Sequence, residues 1–403
     1  RRSVRGRNGA KSGARAGIVV SADERGALEI RNAYRGKHLL VTGVTGFLGK
    51  VWMTMLLDHV EDVGRLTVVV RGKKGEDARA RFDWIVESSP ALRPLRAKYG
   101  SELWTIMAEK VDVLDARLVE PLCGLDPDAA AELMKDVDAV VHFAGLTDFE
   151  PDPRHAIDAN IHGARHAADL AALSPSGRYV HVSTTFVAGL RNDEVPESIE
   201  VGVGPTGVVF DPEEELAALE AGLVGLDKKS DRVDFAMARG QALGWPNIYT
   251  YTKGLPEHLL EGREDVVTTT FRPAIVECAQ NYPFVGWNEG INTSGPIIWL
   301  LGTSFQRFPA KASNHFDIVP VDTVSRAMMV VVAAALTDSA RPVYQCASSH
   351  MNPFTYERAV DMSGIALRRI HGKSEDSWER NVLARLDSHC VEDVDREQVL
   401  GFR

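Results

Sequence analysis

The sequence predicts an α/β protein, a doubly wound parallel sheet with one long insertion and a second, C-terminal portion. Three observations carry that prediction. From residue 36 onward, short β-rich runs alternate with helical patterns, and repeated βα units build parallel sheets wrapped by helices. A glycine-rich turn joins the first strand to the first helix. The chain has 403 residues, 44% of them hydrophobic and 25% charged, an ordinary globular composition that excludes collagen-like, wholly disordered and disulfide-stapled chains.

The strands are read at Lys37–Thr42, Arg65–Val70, Leu103–Val111, Asp138–Phe143, Arg178–Ser183 and Val266–Arg272. Helical patterns lie between them at Phe47–Asp58, Asp77–Glu87, Asp128–Lys135, Pro153–Leu173 and Tyr249–Glu261. Residues 190–246 break the rhythm with an acidic helix candidate, Pro212–Glu220. Residues 277–320 break it again, with Phe284, Trp287, Trp299, Phe305 and Phe308 among Gly, Asn and Pro. Both are candidates for a substrate cap. The expected division is a basic, disordered lead-in over 1–35, a nucleotide-binding domain over 36–276 carrying the 190–246 insertion, and a substrate-binding, helical portion over 277–403.

Charge and cysteine usage exclude several classes. Residues 1–15 hold six basic side chains and no acid, so the rest carries 40 basic against 56 acidic residues. So acidic a body is a poor nucleic-acid binder, because phosphate contacts need a basic surface. A peripheral membrane contact is left open. The longest apolar candidate, Met328–Leu336, spans nine residues, far short of the roughly 20 a membrane helix needs. Cys123, Cys278, Cys346 and Cys390 are scattered without metal-ligand spacing, so no metal site is expected and a reducing, cytoplasmic setting is the natural reading. The chain opens on Arg1 rather than a methionine and closes at Arg403, which leaves a longer parent protein open.

The first turn reads Thr42-Gly43-Val44-Thr45-Gly46-Phe47-Leu48-Gly49. Glycines three apart suit a tight turn, a backbone that approaches a pyrophosphate, and a helix packed close on its strand. The helix N-terminus then offers free N–H groups to the phosphates. This is a Rossmann-type dinucleotide site, with Thr42, Gly43, Thr45, Gly46, Phe47, Leu48 and Gly49 as its first contacts. Where NAD enzymes place an acid at the end of strand two, this chain has Arg71-Gly72-Lys73-Lys74. A guanidinium at Arg71, aided by Lys74, can grip a 2′-phosphate, so NADPH is the expected cofactor. Asp112 and Val113, read as following strand three, are placed to meet the adenine edge. The small residues Ala144 and Gly145 after strand four let the backbone run beneath the cofactor. His142 has no metal-spaced partner and reads as a structural histidine, whereas Asn160 is either a local hydrogen-bonding residue or part of a proton path.

Tyr249 and Lys253 stand four residues apart, on one face of a helix. A neighbouring cation favours phenolate and is expected to lower the tyrosine pKa, making Tyr249 a general acid. Lys253 can also hold ribose hydroxyls, so both count as cofactor contacts. Tyr251 lacks such a partner. The carboxyl end of strand five supplies Ser183, Thr184 and Thr185, and ligands sit off the carboxyl ends of strands in such sheets.

These residues resemble the extended short-chain dehydrogenase/reductase superfamily and, within it, the thioester-reducing fatty acyl-CoA reductases. The resemblance rests on VTGVTGFLGK at 41–50, VVHFAG at 140–145, HVSTTFVAG at 181–189, NIYTYTKGLPE at 247–257 and FRPAIVE at 271–277. It continues through PFVGWNEGINTSGPI at 283–297 and IVPVD at 318–322. It implies Thr184 as the catalytic hydroxyl, with Ser183 the weaker neighbour, Tyr249 as acid, Lys253 as its partner, and Pro273 and Ala274 near the nicotinamide amide. Gly145 departs from the family's more frequent alanine, and the family's further C-terminal helical domain would be short or absent here.

The implied reaction is NADPH-dependent reduction of a long-chain fatty acyl-CoA thioester to a fatty alcohol by way of the aldehyde. It needs no acyl-enzyme, and Cys278 reads as a buried structural thiol. The alternatives are a reductase of carrier-protein-bound acyl thioesters and an aldehyde-forming acyl-CoA reductase. Sugar-nucleotide epimerases and hydroxysteroid dehydrogenases share the catalytic trio but fit 283–297 poorly. A non-catalytic NADPH-sensing protein would keep the glycine turn and lose Tyr249 or Lys253. Chain length, the carrier of the thioester and the oligomeric state are not legible.

Overall fold

The computed structural model describes residues 28–72, 75–191, 193–290 and 294–392. Its centre is a seven-stranded parallel sheet: β1 (His38–Thr42), β2 (Arg65–Val70), β3 (Val111–Asp115), β4 (Ala139–His142), β5 (Arg178–Val182), β6 (Val267–Pro273) and, far along the chain, β10 (Val343–Cys346). The spatial order is β10-β6-β5-β4-β1-β2-β3. The chain thus winds outward from β1 in one direction and returns through β4 in the other. The switch lies between β1 and β4, where a doubly wound sheet opens a crevice off its carboxyl ends. Two short parallel pairs stand apart, β7 (Ile275–Glu277) with β9 (Ile318–Pro320) and β8 (Arg307–Pro309) with β11 (His389–Val391).

The β1 and β2 runs are buried over almost their whole length, as expected for strands covered by helices on both faces. The helix Phe47–His59 buries nine residues and packs on the helix Val321–Leu336, which contains the apolar Met328–Leu336 run. Tyr34, in the short helix Ile30–Tyr34, is buried and donates to the Met329 carbonyl at 2.9 Å. Part of the expected lead-in of 1–35 is therefore helical and packed on the core; residues 1–27, with the basic arm, lie outside the described residues. The expected division at 276 is likewise crossed: β10 completes the main sheet and Val321–Leu336 belongs to the main core.

One strand expectation is overturned. Leu103–Lys110 is a helix, and β3 begins only at Val111. Its buried residues, Leu103 and Met107, are four apart, the spacing of one helix face rather than of alternating strand sides. In the 190–246 insertion, Pro212–Leu223 and Lys229–Leu243 are helices that share a core with the helix Ile248–Glu261. Asp211 caps the first of them, accepting from the Glu213 and Glu214 backbone N–H groups, a preferred N-cap arrangement. Among the described residues, no helix is long and apolar enough to cross a membrane.

Candidate active site

The glycine turn sits at the switch point. Gly43 has φ +74°, and a Cβ added there would lie 2.5 Å from the Ala144 nitrogen. A Cβ on Gly49 would lie 2.4 Å from the Gly43 carbonyl oxygen. Only glycine lets the turn, the helix and the end of β4 close on one another. Thr42 ties the same parts together: its hydroxyl meets His142 Nδ1 at 2.9 Å and accepts from the Ala144 N–H at 3.3 Å. His142 is fully buried and pushed down to about 3 by desolvation, aided by Lys253. It is neutral, but only Nδ1 is paired; its buried Nε2 has no hydrogen-bond partner. The bare turn and the helix end behind it fit a pyrophosphate, with Thr45, Gly46, Phe47 and Leu48 at the helix entrance.

The adenine side differs from expectation. Asp112 lies early in β3, paired in register with Thr67, and its carboxylate engages Arg65 at 2.6 Å. Val113 follows in mid-strand. Both stand back from the carboxyl edge because β3 starts eight residues later than the expected strand. The acid at that edge is Asp115, whose carboxylate accepts from the Gly72 N–H at 3.4 Å. Arg71 directly follows β2 at the same edge, and Arg81 donates to its carbonyl at 2.6 Å. Arg81 adds a second guanidinium beside the candidate 2′-phosphate grip. Lys74 lies outside the described residues.

The carboxyl end of β5 gathers what the sequence separates. Thr184, buried just after β5, donates to the Pro273 carbonyl at 3.3 Å and hydrogen-bonds with the Tyr249 hydroxyl. Ala274 continues from there, its N–H donating to the Cys346 carbonyl in β10. Lys253 Nζ donates to the Val182 carbonyl at 2.7 Å. Ser183 is buried with its hydroxyl unpartnered, while its backbone N–H donates to Phe271. The tyrosine pKa departs from expectation: burial raises it, and the Thr184 hydrogen bond opposes the rise. The lowering expected from Lys253 is not among the causes that act on it. A phenol that keeps its proton suits an acid. Lys253 itself is brought down to about 8 by desolvation, against which Glu257 acts.

Neighbouring residues resolve the remaining readings. Asn160 accepts from the Leu146 N–H at 2.7 Å and donates to Leu146 O and Thr252, so it shapes the loop after Gly145. Tyr251 donates to Glu215 in the insertion and is structural. Trp287 is 2% exposed and stacks on Phe47 at 5.0 Å, whereas Trp299 is 72% exposed. Glu289, which sequence reasoning missed, joins Lys50 at 2.5 Å and Ser89 at 2.7 Å, bracing the 277–290 segment against the glycine-turn helix. Cys278 is exposed rather than buried, and its thiol is raised by partial burial and by Glu277, the opposite of an activated nucleophile.

Known proteins are similar to this chain in sequence and in fold. The NAD-binding family described as male sterility protein matches residues 41–328. Among similar proteins, fatty acyl-CoA reductase 2, chloroplastic, of Arabidopsis thaliana is 28% identical over 83% of this chain and 58% of its own length. Alcohol-forming fatty acyl-CoA reductase of Simmondsia chinensis is 29% identical over 81% of this chain and 70% of its own. Probable fatty acyl-CoA reductase 4 of Arabidopsis thaliana is 30% identical over 88% of this chain and 73% of its own. The chain thus spans between somewhat over half and three quarters of these relatives. In fold it is similar to the terminal R domain of the myxalamid PKS-NRPS pathway, with TM-score 0.54, 18% identity, and 91% of this chain and 85% of that one covered. The chain belongs to the male sterility protein family of NAD-binding proteins, alongside the fatty acyl-CoA reductases.

Proposed function

We propose that this protein reduces long-chain fatty acyl-CoA thioesters to fatty alcohols with NADPH. The observation that carries the reading is the meeting of Thr184 and Tyr249 hydroxyls at the carboxyl end of β5, with Lys253 anchored behind them. The fatty acyl-CoA reductases among its relatives, one of them alcohol-forming, support it. Arg71 and Arg81 at the end of β2 favour the 2′-phosphate form of the dinucleotide.

When bound, NADPH supplies the hydride. Thr184 and Tyr249 donate hydrogen bonds to the thioester carbonyl oxygen and stabilise the charge that develops there. Expulsion of the CoA thiolate gives the aldehyde. In a second round Tyr249 gives its proton to the alkoxide oxygen, a role for which a buried, protonated phenol is suited. Lys253 holds the strand end that carries Ser183 and Thr184, and its ammonium can reach ribose hydroxyls. Pro273 and Ala274 wall the site beside Thr184.

Product analysis with acyl-CoAs of graded chain length and NADPH tests the reading. Fatty alcohol from long chains is expected. No turnover of any acyl-CoA, with turnover of carrier-protein thioesters, would transfer the reading to the carrier-bound substrate.

A further inference from the structure

The catalytic helix meets the sheet through three side chains spaced four residues apart, and only two of them belong to the trio. Tyr249 meets Thr184, Lys253 meets the Val182 carbonyl, and one turn further Glu257 meets Arg272 of β6. The strand side forms a matching ladder. Phe271 takes the Ser183 N–H at 2.7 Å, Arg272 grips Glu257 through Nε at 3.0 and 3.2 Å, and Pro273 takes the Thr184 hydroxyl. The Glu257–Arg272 pair is almost wholly buried, its side chains 2% and 7% exposed. A pair so buried contributes little net stability against hydrophobic replacements, so its position beside the lysine is the informative feature.

We propose that Glu257, held in place by Arg272, is a positioning residue for the reaction: its carboxylate stands one helical turn behind Lys253 and keeps that ammonium charged and aimed at the site. The proposal rests on the reductase reading above. Lys253 is buried, and burial favours the neutral amine. His142 of β4 and His181 of β5 feel its charge across the sheet, and both are held neutral, chiefly by burial. Asn160 borders the same space beside Gly145, and Tyr249 on its own helix keeps its proton. Glu257 is the charged side chain that opposes the loss of the proton. Around the pair itself, His258 is pushed down to about 4 by burial and by Arg272, while half-buried Glu261 is raised by burial and by Glu257.

The sign follows from the charges. Glu257→Gln removes the negative charge but keeps an oxygen for Arg272, so Lys253 loses its proton at lower pH. The high-pH limb of kcat should move down by about one unit, the size of a close charge effect. Arg272→Met leaves the carboxylate unshared and should move the limb up. Opposite shifts from the two halves of one buried pair are beyond a merely structural role, which would lower activity and melting temperature in both without moving the limb. If Arg272→Met does not fold, the double variant Glu257→Gln/Arg272→Gln replaces it and should shift the limb down like the single. NADPH affinity, read by nicotinamide fluorescence from pH 6 to 10, gives a second readout that needs no acyl substrate. An unmoved limb there in Glu257→Gln overturns the proposal. A moved limb with no acyl-CoA turnover by the wild type would sink the substrate reading and leave the ladder standing.

Discussion

Tyr251 donates its hydroxyl to Glu215, thirty-six residues away in the insertion, and Arg239 holds the same carboxylate. That contact divides the two tyrosines of one helix. Tyr249 turns to Thr184 and the proposed reacting end, while Tyr251 fastens the inserted helices to the outer side.

Tyr249→Phe therefore should cut turnover by about 10²-fold or more, the usual contribution of positioned acid catalysis, with the melting temperature near that of the wild type. Tyr251→Phe should do the reverse, losing about 2 kcal/mol from one buried hydrogen bond to a charged group while kcat holds at temperatures below melting. Steady-state kinetics beside thermal unfolding checks both. Reversed effects would place the acid on the wrong tyrosine.

Cofactor preference is the next expectation. Arg71→Ala should raise the KM for NADPH by roughly tenfold or more, the worth of one charge-assisted hydrogen bond, and leave that for NADH unchanged. Arg81→Ala should act the same way, more weakly, because Arg81 also steadies the Arg71 carbonyl. A wild type that uses both cofactors equally contradicts this assignment of the β2 edge.

The two tryptophans of the 277–320 segment should separate cleanly. Trp287→Ala empties a core position against Phe47 and should cost about 3–5 kcal/mol, with a uniform loss across acyl chain lengths. Trp299→Ala lies on the surface and should change stability by no more than about 0.5 kcal/mol. Any acyl-chain preference this segment carries should change with Trp299 alone. A chain-length shift in Trp287→Ala at unchanged melting temperature would reverse the assignment.

Stability should fall on the acid side. His142 is held down to about 3 in the folded protein, against about 6.5 when unfolded. The unfolded chain thus binds a proton that the folded one refuses, so stability is full above pH 6.5 and drains away as pH falls toward 3. His142→Gln should flatten that slope. An unchanged slope would mean that other groups govern acid unfolding.

Much of this was legible in the chain itself. β2 matches the reading residue for residue because it is a compact β-branched run between Arg65 and Arg71, and the Pro153–Leu173 helical stretch keeps its bounds, opened by Pro153 after the Asp152 cap. Leu103–Lys110 misled because an apolar run serves a helix as readily as a strand, and Asp112 went astray with it while Asp115 took the edge. β10 was missed: only Val343 of its four residues is fully buried, which leaves almost no pattern. The pairs Glu257–Arg272, Lys50–Glu289 and Tyr251–Glu215 join residues fifteen to more than two hundred positions apart. No spacing rule reaches that far, so charge and hydrogen-bond partners emerged only from the fold.

The proposed reaction is a four-electron reduction at one site, with the insertion and the 277–320 segment flanking the helix Ile248–Glu261 in sequence. Its most direct test is the ratio of NADPH oxidised to free CoA released from a long-chain acyl-CoA, with an aldehyde trap in a parallel reaction. A ratio of two, with alcohol as the product and little aldehyde trapped, is the expected result. A ratio of one, with aldehyde accumulating while NADPH is plentiful, would contradict it and make the protein an aldehyde-forming reductase.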